Sequence, residues 1–271
     1  MRFTKSRFAS VLLCTLALSH AQAAAPHRPA PPVEKQPRPY LLHIPGIGGL
    51  LRMDSILLAG LQTGGLDADY DTFDWTCQDP GLNALVNLPR NRQQAQLIAD
   101  KIARQYRANP RQPILITCHS GGAGLVAWAL EKLPDDVTID TLLFLAPALS
   151  PRYDLSQALK HVKNKAYVFY SPNDPIVGAG TKAFGTIDRV RTEAAGSVGF
   201  TRPDPADEAA YAKLVPMPYQ DAWMQQGNVG DHIGPMARRF AQLTLAPLLG
   251  APAVAVDTTP TTQPASPAGA R

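Results

Sequence analysis

A chain of 271 residues, 45% of them hydrophobic, has room for one substantial domain plus tails and can bury a real core. The formal charge of +4 owes three units to residues 1–23, which hold three basic and no acidic residues; without them it is +1, which gives no support for nucleic-acid binding. One of the three cysteines, Cys14, also lies in that segment, and the two that remain exclude a disulfide framework.

The N-terminus reads as a secretory signal. Arg2, Lys5 and Arg7 form a positive region, residues 9–18 a short apolar run, and Ala21-Gln22-Ala23 a small-residue cleavage site. The run is short for a membrane span, which needs about 20 residues, so no stable span is expected after processing. Cys14 follows the bulky Leu13, which argues against a lipid-attachment site. The expectation is an exported protein, periplasmic or secreted. Residues 24–39 are proline-rich and read as an extended arm.

Residues 40–44 (YLLHI) form a short apolar run that stops at Pro45-Gly46. The following Pro45-Gly46-Ile47-Gly48-Gly49 lets the backbone turn away from a sheet and leaves N–H groups free. Two nucleotide-binding readings fail here. The dinucleotide fingerprint needs a third glycine where Leu51 stands, and a phosphate loop needs Lys-Ser/Thr where Leu50-Leu51 follow. A plain turn remains as the alternative.

Residues 50–61 have helical spacing through Met53, Ile56, Leu57 and Leu61, ending before Gly64-Gly65. Residues 69–75 alternate as a strand would. Residues 91–108 place Ala95, Ile98, Ile102 and Tyr106 on one helical face. Residues 113–117 (PILIT) predict a buried strand, and residues 123–133 are apolar nearly all round, as a central helix would be.

Between these last two elements stands Cys118-His119-Ser120-Gly121-Gly122. A serine there sits on a sharp strand-to-helix turn whose flanks must be small, and the turn projects its hydroxyl above the sheet. Gly122 and Cys118 are the flanking residues, Cys118 standing where glycine is usual. The Gly121 N–H at the helix start is a candidate oxyanion donor, aided by the helix dipole, and the Ile47 N–H is the second candidate. A Ser-Gly helix cap without chemistry is the alternative.

Residues 139–145 and 166–170 (AYVFY) are further strand candidates, with a short helix expected over residues 154–162. Residues 171–231 are rich in Gly, Pro and Asp, and only a weak strand near residues 211–215 is legible. Residues 235–249 predict a closing helix, and residues 250–271, rich in Ala, Pro and Thr, a disordered tail. The alternation of strands and helices predicts a three-layer α/β sandwich around a mostly parallel sheet.

Six histidines compete for the role of base. His20 and His27 lie in the signal and the arm, His43 inside a strand, and His161 between Lys160 and Lys163 on what reads as a solvated helix face. His119 adjoins the serine, where neighbouring side chains diverge. His232, flanked by glycines in GNVGDHIG before the last helix, suits a loop that presents an imidazole. Asp174, in Ser171-Pro172-Asn173-Asp174-Pro175 after the 166–170 strand, is the candidate to orient it; an Asp-Pro turn is the alternative, and Asp154 and Asp231 are rivals.

With these segments in hand, the chain resembles the α/β-hydrolase superfamily over roughly residues 39–249. The resemblance rests on PGIGG, CHSGG, SPNDPIV and GDHIG, and on the order Ser120, Asp174, His232. It implies a carboxylic-ester hydrolase acting through an acyl-enzyme on Ser120, with His232 as base and Asp174 orienting it. It also implies no metal and no organic cofactor. The partner would be a small-molecule or polymeric ester. Few residues separate the 139–145 and 166–170 strands, so a large cap domain is not expected there and the site reads as fairly open, unless residues 185–225 cover it.

The resemblance also places the strands of residues 69–75 and 113–117 on either side of the 40–44 strand. That is roughly 9–10 Å apart, beyond the reach of about 7 Å that a disulfide needs, so Cys77 and Cys118 are expected to be unpaired. An acyltransferase with the same three residues, a non-catalytic binding protein on this fold and a peptidase remain as alternatives.

Overall fold

The computed structural model describes residues 37–252. The expected signal peptide, most of the arm and the tail beyond residue 252 lie outside the described residues.

Six strands form one parallel sheet: β1 (Tyr40–Ile44), β2 (Asp69–Thr72), β3 (Ile114–His119), β4 (Thr141–Leu145), β5 (Ala166–Tyr170) and β6 (Leu214–Pro218), in the order β2-β1-β3-β4-β5-β6. Every residue of β1, β3 and β4 is buried, as expected for strands covered on both faces. β6 carries Pro216 and Pro218, and proline, which donates nothing to a ladder, is confined to edges such as this one. The weak strand expected near residues 211–215 is this edge, displaced toward the C-terminus because residues 208–211 make a helical turn instead.

Alternate strand residues feed two cores. On one face Leu41, Leu115, Leu143 and Phe169 pack against α1 (Arg52–Thr63) and the closing helical run through Phe240 and Leu245. On the other, Leu42, Ile44, Ile116, Phe144 and Val168 meet α3 (Leu88–Ala108) and α4 (Gly122–Leu130), after α2 (Leu82–Val86), a short helix ahead of α3. Asn87 accepts from the Arg90 N–H, and Pro89 needs no donor in the first turn, so α3 starts one turn earlier than its hydrophobic spacing predicts. All nine residues of α4 are buried, which explains a segment without a polar face.

The closing helix is not continuous. A 3-10 turn (Gly234–Met236) is separated from residues 238–248 by Ala237 in extended conformation, and Ala241–Leu245 is wound as a π-helix. Pro247 has no N–H to give to a carbonyl four residues back, and the Ala246 N–H reaches instead to Ala241, five residues back.

β1 lies between β2 and β3, the order that the resemblance implies, and Cys77 and Cys118 are free thiols. Cys118 is fully buried, and burial raises its thiol well above its ordinary range. No helix among the described residues is long and apolar enough to cross a membrane.

Candidate active site

Four segments converge at the carboxyl ends of parallel strands, where open α/β sheets place their ligands. They are the loop after β1, the turn after β3, the loop after β5 and the loop that precedes the 3-10 turn at Gly234.

The turn after β3 puts Ser120 at φ +51°, a left-handed conformation that a residue with a Cβ adopts only under constraint. The constraint is visible in hydrogen bonds. The Ser120 N–H donates to the Leu145 carbonyl at 3.0 Å, and its carbonyl accepts from Ala123 at 3.1 Å and Ala148 at 2.9 Å. The flanks must be small for a definite reason. A Cβ on Gly122 would lie 2.4 Å from the Pro45 carbonyl oxygen and 2.7 Å from that of Ile44. Cys118, two residues before the serine, fits because its Sγ turns toward the Leu143 carbonyl at 3.5 Å. Gly122→Ala is therefore expected to cost about 1–3 kcal/mol through backbone displacement. It is also expected to lower turnover at least about 100-fold, because the loop after β1 must retreat from Ser120. Thermal melting with ester kinetics checks both, and an active, equally stable variant would contradict the packing account.

Ser120, His232 and Asp174, far apart in sequence, form one hydrogen-bonded chain. Asp174 Oδ2 lies 2.7 Å from His232 Nδ1, and His232 Nε2 lies 2.9 Å from Ser120 Oγ. All three are buried. The other Asp174 oxygen accepts from the Ile176 N–H at 2.9 Å and the Val177 N–H at 3.3 Å. Since a carboxylate only accepts, His232 carries its proton on Nδ1 and presents a bare Nε2 to the serine hydroxyl. The rivals do not hold the ring: Asp154 accepts from Ser156 in its own turn, and His232 Nδ1 is bonded to Asp174 and not to the adjacent Asp231.

The loop after β1 is fixed by groups around it. Trp75 Nε1 donates to the Pro45 carbonyl at 2.8 Å, Gly81 to that of Ile47 at 2.7 Å and Gly49 to that of Gly46 at 3.1 Å. The Leu51 N–H donates to Asp54 at 2.7 Å, and the buried Asp54 also accepts from His43 Nε2 at 2.8 Å, whose Nδ1 lies 2.9 Å from Thr117 Oγ1. Among the described residues neither the Ile47 N–H nor the Gly121 N–H has a hydrogen-bond acceptor. A Cβ on Gly121 would sit 2.7 Å from Ile47 Cγ2, so the Ile47 side chain packs directly against Gly121. Trp75 and Asp54 escaped the reading of the sequence. The only trace of the latter was an acid three residues after Leu51, at a helix start.

Two histidines depart from expectation. His161 is buried with Nδ1 donating to the Val137 carbonyl at 2.8 Å, not solvated, because α5 (Ser156–Lys160) ends just before it and turns it inward. His119 does not diverge from the site: its ring centroid lies 4.8 Å from that of His232. Burial, and the neighbouring His232 after it, depress its pKa to about 3, so it stays neutral.

A cleft of about 350 Å³ opens from Ser120. Ile47, Leu82, Leu85, Ile176, Val177 and Phe184 line it, and Leu82, Ile176 and Phe184 are more than half exposed. Its one other hydroxyl, on Thr181, is spent on the Val177 carbonyl at 2.6 Å. The site is open, as expected, but its walls are apolar, and they come from α2 and residues 175–185 more than from residues 185–225. Among the described residues no group of three or more His, Cys, Asp or Glu is arranged to hold a metal ion.

A parallel sheet in this strand order, an elbow serine after a central strand, and an acid and a histidine supplied by later loops define an α/β-hydrolase fold, with six strands and no large cap domain among the described residues. No protein-family model and no curated protein matches the sequence. Solved structures similar to it include Aspergillus fumigatus lipase B (13% identity, TM-score 0.48, covering 77% of this chain and 51% of that one). They also include Est1E from Butyrivibrio proteoclasticus (12%, TM-score 0.44, 81% and 90%), and the esterase domain of a Rhodothermus marinus protein (15%, TM-score 0.41, 80% and 88%). The chain spans about half the length of the lipase it matches.

Proposed function

We propose that this protein is a serine hydrolase of carboxylic esters with an apolar acyl group. The observation that carries the reading is the continuous Asp174–His232–Ser120 hydrogen-bond chain, ending on a strained serine at the mouth of an apolar cleft. In this mechanism His232 Nε2 takes the Ser120 proton as Oγ attacks the ester carbon. The developing oxyanion accepts from the Ile47 and Gly121 N–H groups, neither of which has a competing acceptor among the described residues. Asp174 stabilises the imidazolium. His232 then returns the proton to the leaving alcohol, and water releases the acid from Ser120 by the same steps. Export belongs to the same proposal and rests on residues 1–23 alone.

The acyl chain would lie against Leu82, Leu85 and Phe184. Each methylene buried there contributes about 0.8 kcal/mol, or about fourfold in kcat/KM, until the cleft is filled. A series of esters with one alcohol and linear acyl chains of rising length tests this. The expected profile climbs from acetate, and Phe184→Asp flattens the climb while sparing acetate. A flat profile in the parent, or preference for a charged acyl group, would contradict the apolar-acyl reading. Product partition with added alcohol separates hydrolysis from acyl transfer.

A further inference from the structure

His119 ends β3, is 1% exposed and takes no part in the proton path described above. Its Nε2 lies 3.0 Å from the backbone carbonyl of His232. A carbonyl only accepts, so the neutral ring carries its single proton on Nε2 and donates it there. That leaves Nδ1 bare, buried and without a hydrogen-bond partner among the described residues. Gly46 packs against this side of the ring: a Cβ built on it would meet His119 Nδ1 and Ser120 Cβ, each at 3.2 Å. One side chain thus adjoins the nucleophile in sequence, holds the backbone of the base by a hydrogen bond, and abuts the loop that carries Ile47. The His232 loop needs such a tie. Gly230 and Gly234 flank His232, Gly230 at φ +82°, and Val229 and Ile233 are about half exposed, so the loop is held largely by hydrogen bonds, among them Asn228 N–H to the Trp223 carbonyl and Gly230 N–H to Asn228 Oδ1.

We propose that His119 is a positioning residue that sets the register of the His232 loop against the Ser120 turn and the Gly46–Ile47 loop, through one donated hydrogen bond. This rests on the reading of Ser120 and His232 as nucleophile and base. The ring must also stay neutral, because an imidazolium 4.8 Å from His232 would oppose the positive charge that His232 acquires on taking the serine proton.

The test compares His119→Phe, which keeps a flat buried ring but lacks the donor, with His119→Gln, whose amide nitrogen stands the same number of bonds from Cα as the histidine Nε2. Both are first shown to be folded by circular dichroism. With a short-chain ester, His119→Phe is expected to lose about 100-fold in kcat with KM nearly unchanged, the scale of a misplacement of about 1 Å. His119→Gln is expected to recover most of that loss. Independently of activity, the low-field proton resonance of His232 Nδ1–H hydrogen-bonded to Asp174 should broaden or vanish in His119→Phe and persist in His119→Gln. The assignment is overturned if His119→Phe keeps both rate and resonance, or if His119→Gln falls as far as His119→Phe. Should the parent show no activity at Ser120, the esterase reading fails, and the proton resonance still decides the role of His119.

Discussion

Ser120→Ala is expected to lower kcat for an ester by about 10⁵–10⁶-fold, the scale of losing the nucleophile from a triad that acts as a unit. KM should change little, because the cleft walls and the candidate oxyanion donors are untouched. Rate measurement at saturating ester checks the loss. The substitution leaves the backbone strained, since alanine carries a Cβ at φ +51° as serine does. Ser120→Gly removes that strain and should be the more stable of the two inactive variants by about 1 kcal/mol. The pair therefore separates a serine held for chemistry from one that merely suits a turn. If Ser120→Ala retained activity within tenfold of the parent, no mechanism through this residue would stand.

Asp174→Asn has the second largest expected effect, and its direction follows from four groups. The Ile176 and Val177 N–H groups require an acceptor and hold one Asp174 oxygen. An asparagine keeps its carbonyl oxygen there and turns its NH₂ to His232. His232 Nδ1 must then accept, which moves the ring proton to Nε2, and a protonated Nε2 cannot take the Ser120 proton. A loss of about 10⁴-fold in kcat is expected with folding intact, as for the same exchange in serine protease triads. Nitrogen NMR of the imidazole should show the tautomer reversed in the variant. A variant within tenfold of the parent, or one with Nδ1 still protonated, would remove Asp174 from its role.

Much of this was legible in the sequence because each element carried its own signal. Residues 113–130 go from an apolar strand to small residues to an all-apolar helix, the setting that a strand-to-helix elbow inside a covered sheet requires. The order of the strands came not from these signals but from what the resemblance to the α/β-hydrolase superfamily implies. That order also predicted two separated cysteines, matching the free thiols at Cys77 and Cys118.

What escaped is tertiary. His161 sits among lysines in sequence, yet its fate was decided by where a one-turn helix stops. Adjacent side chains on an elbow diverge, which in sequence argues against a role for His119. That argument concerns the chain's own neighbours and says nothing of a loop arriving from 113 residues away. The walls of the cleft come from α2 and from residues 175–185, a π-helical turn followed by one turn of α-helix, elements too short to show a period.

The most direct measurement is to react the protein with a fluorophosphonate and map the modified residue by peptide mass spectrometry. The account predicts one adduct per chain, on Ser120, and none when Ser120 is alanine. An adduct on another residue, or no adduct on folded parent protein, would contradict it.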